Sequence, residues 1–92
     1  SRLMSQYQLK IPKPVRRQIE KLPGRYRQQV WRIIGALASD PRPADAKPLR
    51  EREGVYRLAL DQYRIVYSIE DDILLIEVIN VGRKQGPEFM KK

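Results

Sequence analysis

"VYRLALDQYRIVYSIEDDILLIEVINVGRK", residues 55–84, decides the fold. Runs of apolar and β-branched residues at 55–60, 63–69 and 73–81 read as three strands, separated by "DQ" and "DD". With Asp61-Gln62 as a two-residue turn, Leu60 pairs with Tyr63, Leu58 with Ile65 and Tyr56 with Tyr67. That face is wholly apolar or aromatic, so it packs on a core. The opposite face pairs Ala59 with Arg64 and Arg57 with Val66. If Asp71-Asp72 is also a two-residue turn, Val66 lies opposite Glu77 and Arg64 opposite Ile79. Arg83 then has the parity of Arg64. The arginines inside strand-like sequence thus belong to an uncovered sheet face. One reading of that face is a solvated surface whose arginines pair with Glu77. Clustered Arg rather than Lys favours the other, planar recognition of phosphate.

Upstream, "QYQLKI" (6–11) alternates Tyr7, Leu9 and Ile11 with polar residues and reads as a further strand. "PVRRQIEKL" spaces Val15, Ile19 and Leu22 as one helical face, and Pro14 suits a first helical turn. "PG" at 23–24 ends that helix. "RYRQQVWRIIGALAS" then carries Tyr26, Val30, Ile33 or Ile34, and Leu37 on one stripe, with Arg25, Gln28 and Arg32 on another. "DPRPADAKP" is a Pro-rich connector, and "KQGPEFMKK" reads as a short helical tail. The order β-α-α-β-β-β predicts an α+β fold: an antiparallel meander with two helices on one face.

A chain of 92 residues predicts one domain over 1–92 with a thin core. Ser1-Arg2-Leu3 read as a cloning remnant ahead of a native start at Met4. With no cysteine and no histidine, disulfide, thiolate and imidazole chemistry are excluded, and a metal or other cofactor is not expected. No apolar run has the length of a membrane span, so a membrane partner is not expected and a cytoplasmic location is. The net charge is +8, and residues 1–32 hold nine Lys/Arg against one acid, Glu20. Such a balance points to an anionic partner, nucleic acid or an acidic protein.

The "YR" of strand 55–60, "YRIVY", "INVGRK", and the upstream order of strand, two helices joined at Leu-Pro, and "DP…LR" connector resemble the RelE family of toxins from toxin–antitoxin pairs. The resemblance covers residues 6–90. ParE-type gyrase poisons share the fold and part of the pattern. The resemblance implies a metal-independent endoribonuclease that cleaves messenger RNA in the ribosomal A site, by attack of the RNA 2′-hydroxyl on the adjacent phosphate. It also implies a cognate antitoxin as partner. Arg57 matches a phosphate-binding position and Arg64 a transition-state clamp. Arg83 and Lys84 match the basic pair that supplies the proton for the leaving 5′-oxygen. An ungapped alignment gives that role to Lys84, whereas sheet parity favours Arg83. Lys47, Arg50, Arg52, Arg25 and Arg32 are the expected RNA or ribosome contacts.

Two departures from the family pattern stand out. Ala59 occupies the place of a lysine proposed as general base, and Met90 that of a tyrosine which stacks on the substrate or helps proton transfer. Glu77, Lys47, Arg50 and Arg52 are the nearby candidates for the base. The departures leave open a weakened enzyme, a different base, or an engineered residue at 90. Three functions compete: an RNA-cleaving toxin, a gyrase inhibitor, and a binding module that has lost catalysis.

Overall fold

The structure, a computed structural model, describes residues 6–84. The meander expected over 55–84 forms as β3 (Val55–Leu60), β4 (Tyr63–Glu70) and β5 (Leu75–Arg83). The two helices are α1 (Lys13–Glu20) and α2 (Gly24–Leu37). Strand β1 (Gln8–Lys10) adds to the edge of β5 in parallel, and a two-residue strand, β2 (Lys47–Pro48), forms from the connector and pairs with β3. The sheet order is β1-β5-β4-β3-β2, so the meander sits inside a mixed sheet. The expected helical tail lies outside the described residues.

Helix α1 carries Pro14 in its first turn, where a missing N–H costs nothing. It buries Val15 and Ile19, while α2 buries Val30, Ile34 and Leu37. Of the two candidates at 33 and 34, Ile34 is therefore the core residue. These side chains meet Leu58, Tyr63, Ile65, Tyr67, Ile76, Val78 and Val81 from the covered face of the sheet. The β3–β4 register is the expected one: Leu60 with Tyr63, Leu58 with Ile65, Tyr56 with Tyr67, Ala59 with Arg64 and Arg57 with Val66. Asp61 takes a left-handed conformation, φ 54°, which a short polar residue tolerates. Its carboxylate accepts the Tyr26 hydroxyl at 2.6 Å, which ties the turn to α2.

The β5 register differs from expectation in two places. Asp71–Ile73 form a 3-10 turn and Leu74 is left-handed at φ 51°, so the connection is longer than Asp71-Asp72 alone. Glu77 consequently lies opposite Ser68, not Val66. Between Val66 and Tyr67 the register then slips by one residue, a β-bulge. Tyr67 faces Val78 while Val66 faces Asn80, which leaves Ile79 as the extra residue. A one-residue slip exchanges the faces of everything beyond it. The exchange puts Val81 in the core, 1% exposed, and turns Asn80 and Gly82 to the uncovered face.

The connector is held down at the other end of the sheet. Arg42 pairs with Asp71 at 2.8 Å and donates to the Tyr56 hydroxyl at 3.0 Å, while Tyr7 donates to Asp71 at 2.6 Å. These bonds, from Arg42 first, hold the Asp71 carboxyl below its ordinary value. The Tyr67 hydroxyl donates to the Pro41 carbonyl at 2.7 Å, and burial pushes its phenol up to about 12.

Candidate functional site

The face of the sheet opposite the helices, uncovered among the described residues, gathers cations from three adjacent strands. Arg57 pairs directly with Lys47 across the β2–β3 ladder and lies diagonal to Arg64 on β4. Diagonal neighbours on one face are ~7–8 Å apart, within reach of one phosphodiester for long side chains. Among the described residues neither Arg57 nor Arg64 forms an ion pair, so the alternative of arginines neutralised by Glu77 does not hold. Like charges directly opposite destabilise a sheet. The Lys47–Arg57 pair therefore carries a repulsive cost that a polyanion on this face would relieve.

Arg57 and Arg64 line an open cleft of about 480 Å³ with Pro48, Leu49, Arg50 and Glu51. The loop that supplies its wall is fixed by two backbone bonds, Leu49 N–H to the Val55 carbonyl and Ile69 N–H to the Gly54 carbonyl, both 2.9 Å. Gly54 sits at φ 79°, which few other residues adopt without strain. Ala59, directly across from Arg64, contributes no functional group.

The bulge settles where the basic pair at 83–84 points. Arg83 lies opposite Tyr63, which belongs to the covered face, so the expectation that parity puts Arg83 beside Arg64 is corrected. The Lys84 N–H donates to the Gln62 carbonyl at 2.8 Å and extends the ladder by one pair. That pairing gives Lys84 the parity of Arg64.

The remaining candidates divide. Lys47 and Arg50 join the cluster, while exposed Arg52 lies in the following loop and does not line the cleft. Arg25 and Arg32 line a separate polar hollow with Gln28, Gln29 and Asp61, formed by α2 and the β3–β4 turn. Glu77 lies beside Lys10 on β1 and Ser68 on β4, four residues along β4 from Arg64. At ~3.3 Å per residue that is too far to share a phosphate with Arg64. Met90 lies outside the described residues. The residue that the sequence reading passed over is Glu51, the carboxylate in the cleft wall.

The family model described as ParE toxin of type II toxin-antitoxin system, parDE, matches residues 9–86. No curated protein matches the chain. Among solved structures, the chain is similar to the toxin in the RelBE2 toxin–antitoxin complex from Mycobacterium tuberculosis, with 29% identity and TM-score 0.72, over 86% of this chain and 99% of that one. It is similar to the isolated E. coli RelE toxin, with 25% identity and TM-score 0.74, over 92% and 93%. It also matches the archaeal RelE–RelB complex from Pyrococcus horikoshii OT3, with 25% identity and TM-score 0.75, over 87% and 96%. No helix among the described residues is long and apolar enough to cross a membrane. The family match, the two helices over a five-stranded mixed sheet and the RelE-like structures agree: this chain belongs to the ParE toxin family of type II toxin–antitoxin systems, within the RelE/ParE superfamily.

Proposed function

We propose that this toxin is a metal-independent endoribonuclease that cuts messenger RNA in the ribosomal A site, with the uncovered sheet face as its active site. The observation that carries the reading is the convergence of Lys47, Arg57 and Arg64 without an ion-pair partner among the described residues. A protein with neither His nor Cys can still perform this reaction. The nucleophile belongs to the substrate, and the protein supplies position and charge. Arg57 holds the phosphate, and Arg64 clamps the charge of the five-coordinate phosphorane. Glu51 takes the 2′-hydroxyl proton, since a carboxylate accepts protons and a guanidinium does not. The 2′-oxygen bonds to phosphorus as the bond to the 5′-oxygen breaks. Lys84 protonates that oxygen. The products are a 2′,3′-cyclic phosphate and a 5′-hydroxyl end, and solvent restores both proton carriers. Such a target places the protein's work in the cytoplasm. Arg25 and Arg32, in their separate hollow, serve as a second contact with ribosomal RNA.

A cognate antitoxin is the second partner, as in the RelE complexes that this chain resembles. A net charge of +8 favours an acidic binding segment and salt-sensitive association.

The test is purified protein with programmed ribosomes. A cut that leaves a cyclic phosphate, and that a 2′-deoxynucleotide at the scissile position blocks, supports the reading. Intact message with inhibited gyrase supercoiling supports the second reading, a ParE-type poison, which the family match favours. Intact message that nonetheless binds the protein marks a non-catalytic module, the reading that Ala59 favours.

A further inference from the structure

We propose that Asn80 is a further RNA-contacting residue, and that Gln18 is the positioning residue that turns the Asn80 amide donor toward the substrate above the bare floor at Gly82. The proposal rests on reading the uncovered face as an RNA site.

Strand β1 covers the outer edge of β5 only along Leu75–Glu77. Beyond it, α1 takes over. The Val81 N–H on that edge donates to Gln18 Oε1 at 2.9 Å. A backbone N–H is a donor only, so this bond fixes which end of the Gln18 amide is oxygen. Gln18 Nε2 must then act as the donor, and it reaches Asn80 Oδ1 at 2.9 Å. The Asn80 amide is fixed in turn. Its oxygen is held by α1, and among the described residues both N–H groups of Nδ2 are left for another acceptor. Gln18 is half-buried and Asn80 is exposed, so the orienting residue is shielded and the oriented one is accessible.

Nδ2 points over a defined place. Asn80 and Gly82 share the face of Arg64, and Gly82 is directly opposite Arg64. Nδ2 lies 3.9 Å from the position that a Cβ would take at residue 82. The fold itself does not demand glycine there. Its φ is not in the left-handed region, and that Cβ would meet nothing nearer than Nδ2. Glycine inside a strand weakens it and often marks close approach of a ligand. The bare backbone at Gly82 thus leaves room for a sugar-phosphate chain. Arg64 stands on one side of that room and a neutral two-donor amide on the other. The amide suits a non-bridging phosphate oxygen beside the one that Arg64 holds, and it adds no charge.

The test is equilibrium binding of a short single-stranded RNA with methylated 2′-hydroxyls, which binds without being cut, over a range of salt. Asn80→Ala is expected to weaken binding about tenfold, the scale of one hydrogen bond to a charged group. Its melting temperature and the slope of log affinity against log salt should stay those of the parent. Arg64→Ala should flatten that slope by about 0.7, one phosphate on a single strand. Asn80→Asp is isosteric, still accepts from Gln18 and turns an oxygen to the phosphate, so it should bind at least as weakly as Asn80→Ala. Gln18→Ala should weaken binding several-fold with the same unchanged slope. Parent-like affinity in both Asn80 variants, with Arg64→Ala impaired, overturns the proposal and leaves the RNA site standing. Equal binding by the parent and Arg64→Ala overturns the site itself and the proposal with it.

Discussion

Lys84 donates its backbone N–H to the Gln62 carbonyl at 2.8 Å, and that bond decides which of two adjacent cations faces the site. The bulge at Ile79 has already exchanged the faces of β5, so Lys84, not Arg83, shares the face of Arg64. Lys84→Ala should slow RNA cleavage by about two orders of magnitude, the usual scale for a general acid. Arg83→Ala should slow it less than about threefold. Single-turnover rates on programmed ribosomes make the comparison, and the reverse order would return the acid role to Arg83.

In the proposed mechanism Glu51, the carboxylate in the cleft wall, accepts the 2′-hydroxyl proton. Glu51→Gln keeps its size and hydrogen-bonding reach but removes that capacity, so cleavage should fall about a hundredfold or more while RNA affinity rises slightly. Cleavage at the parent rate would remove Glu51 from the mechanism.

The bulge makes a prediction about stability. Deleting Ile79 removes the extra residue, restores simple alternation and keeps Val81, 1% exposed in the folded chain, in the core. Exposing Val81 would cost about 2 kcal/mol, or roughly 10 °C of melting temperature in a domain of this size, and no loss on that scale is expected. The deletion should also keep Asn80 and Gly82 on the face of Arg64 and preserve RNA binding. A melting temperature about 10 °C or more below the parent, with RNA binding lost, would show that Ile79 is not the dispensable residue of the bulge.

Much of this architecture is legible in the sequence. The β3–β4 register follows from one short turn and two unlike faces, because any one-residue slip would bury either Arg57 or Arg64. The β5 register was less accessible. Core residues Ile76, Val78 and Val81 are spaced by two and then three, which is the mark of a bulge, but Ile79 is also apolar and hides it. The extra residues of the Asp71–Leu74 connection shift the pairing by two and leave parity intact, so only the bulge overturns the expected place of Arg83. Glu51 escaped notice for another reason. It lies in "LRERE", a run without periodicity, and long-range backbone bonds at Leu49 and Gly54 bring that run to the cleft. No sequence pattern announces such a loop placement.

Tyr67 links pH to the fold at the far end of the sheet. Burial raises its phenol in the folded state to about 12, from an ordinary value of 10.0. A group with a raised folded value stabilises fully below its unfolded value and loses that contribution as pH rises through the folded one. Stability should therefore fall between about pH 10 and 12. Tyr67→Phe removes this titration and the bond to Pro41, so it should cost about 1 kcal/mol at neutral pH and flatten the alkaline decline. Denaturant melts at pH 7, 10 and 11 check both effects, and parallel declines in the two proteins would assign the alkaline loss elsewhere.

In the proposed function the face of Arg57, Arg64 and Lys84 cuts translated messenger RNA. Primer extension on RNA from cells in which this chain is induced tests it most directly. Cuts phased with codons should appear inside translated messages and be absent when Arg64→Ala is induced to the same level. Intact messages alongside broken chromosomes would contradict it and identify gyrase as the target.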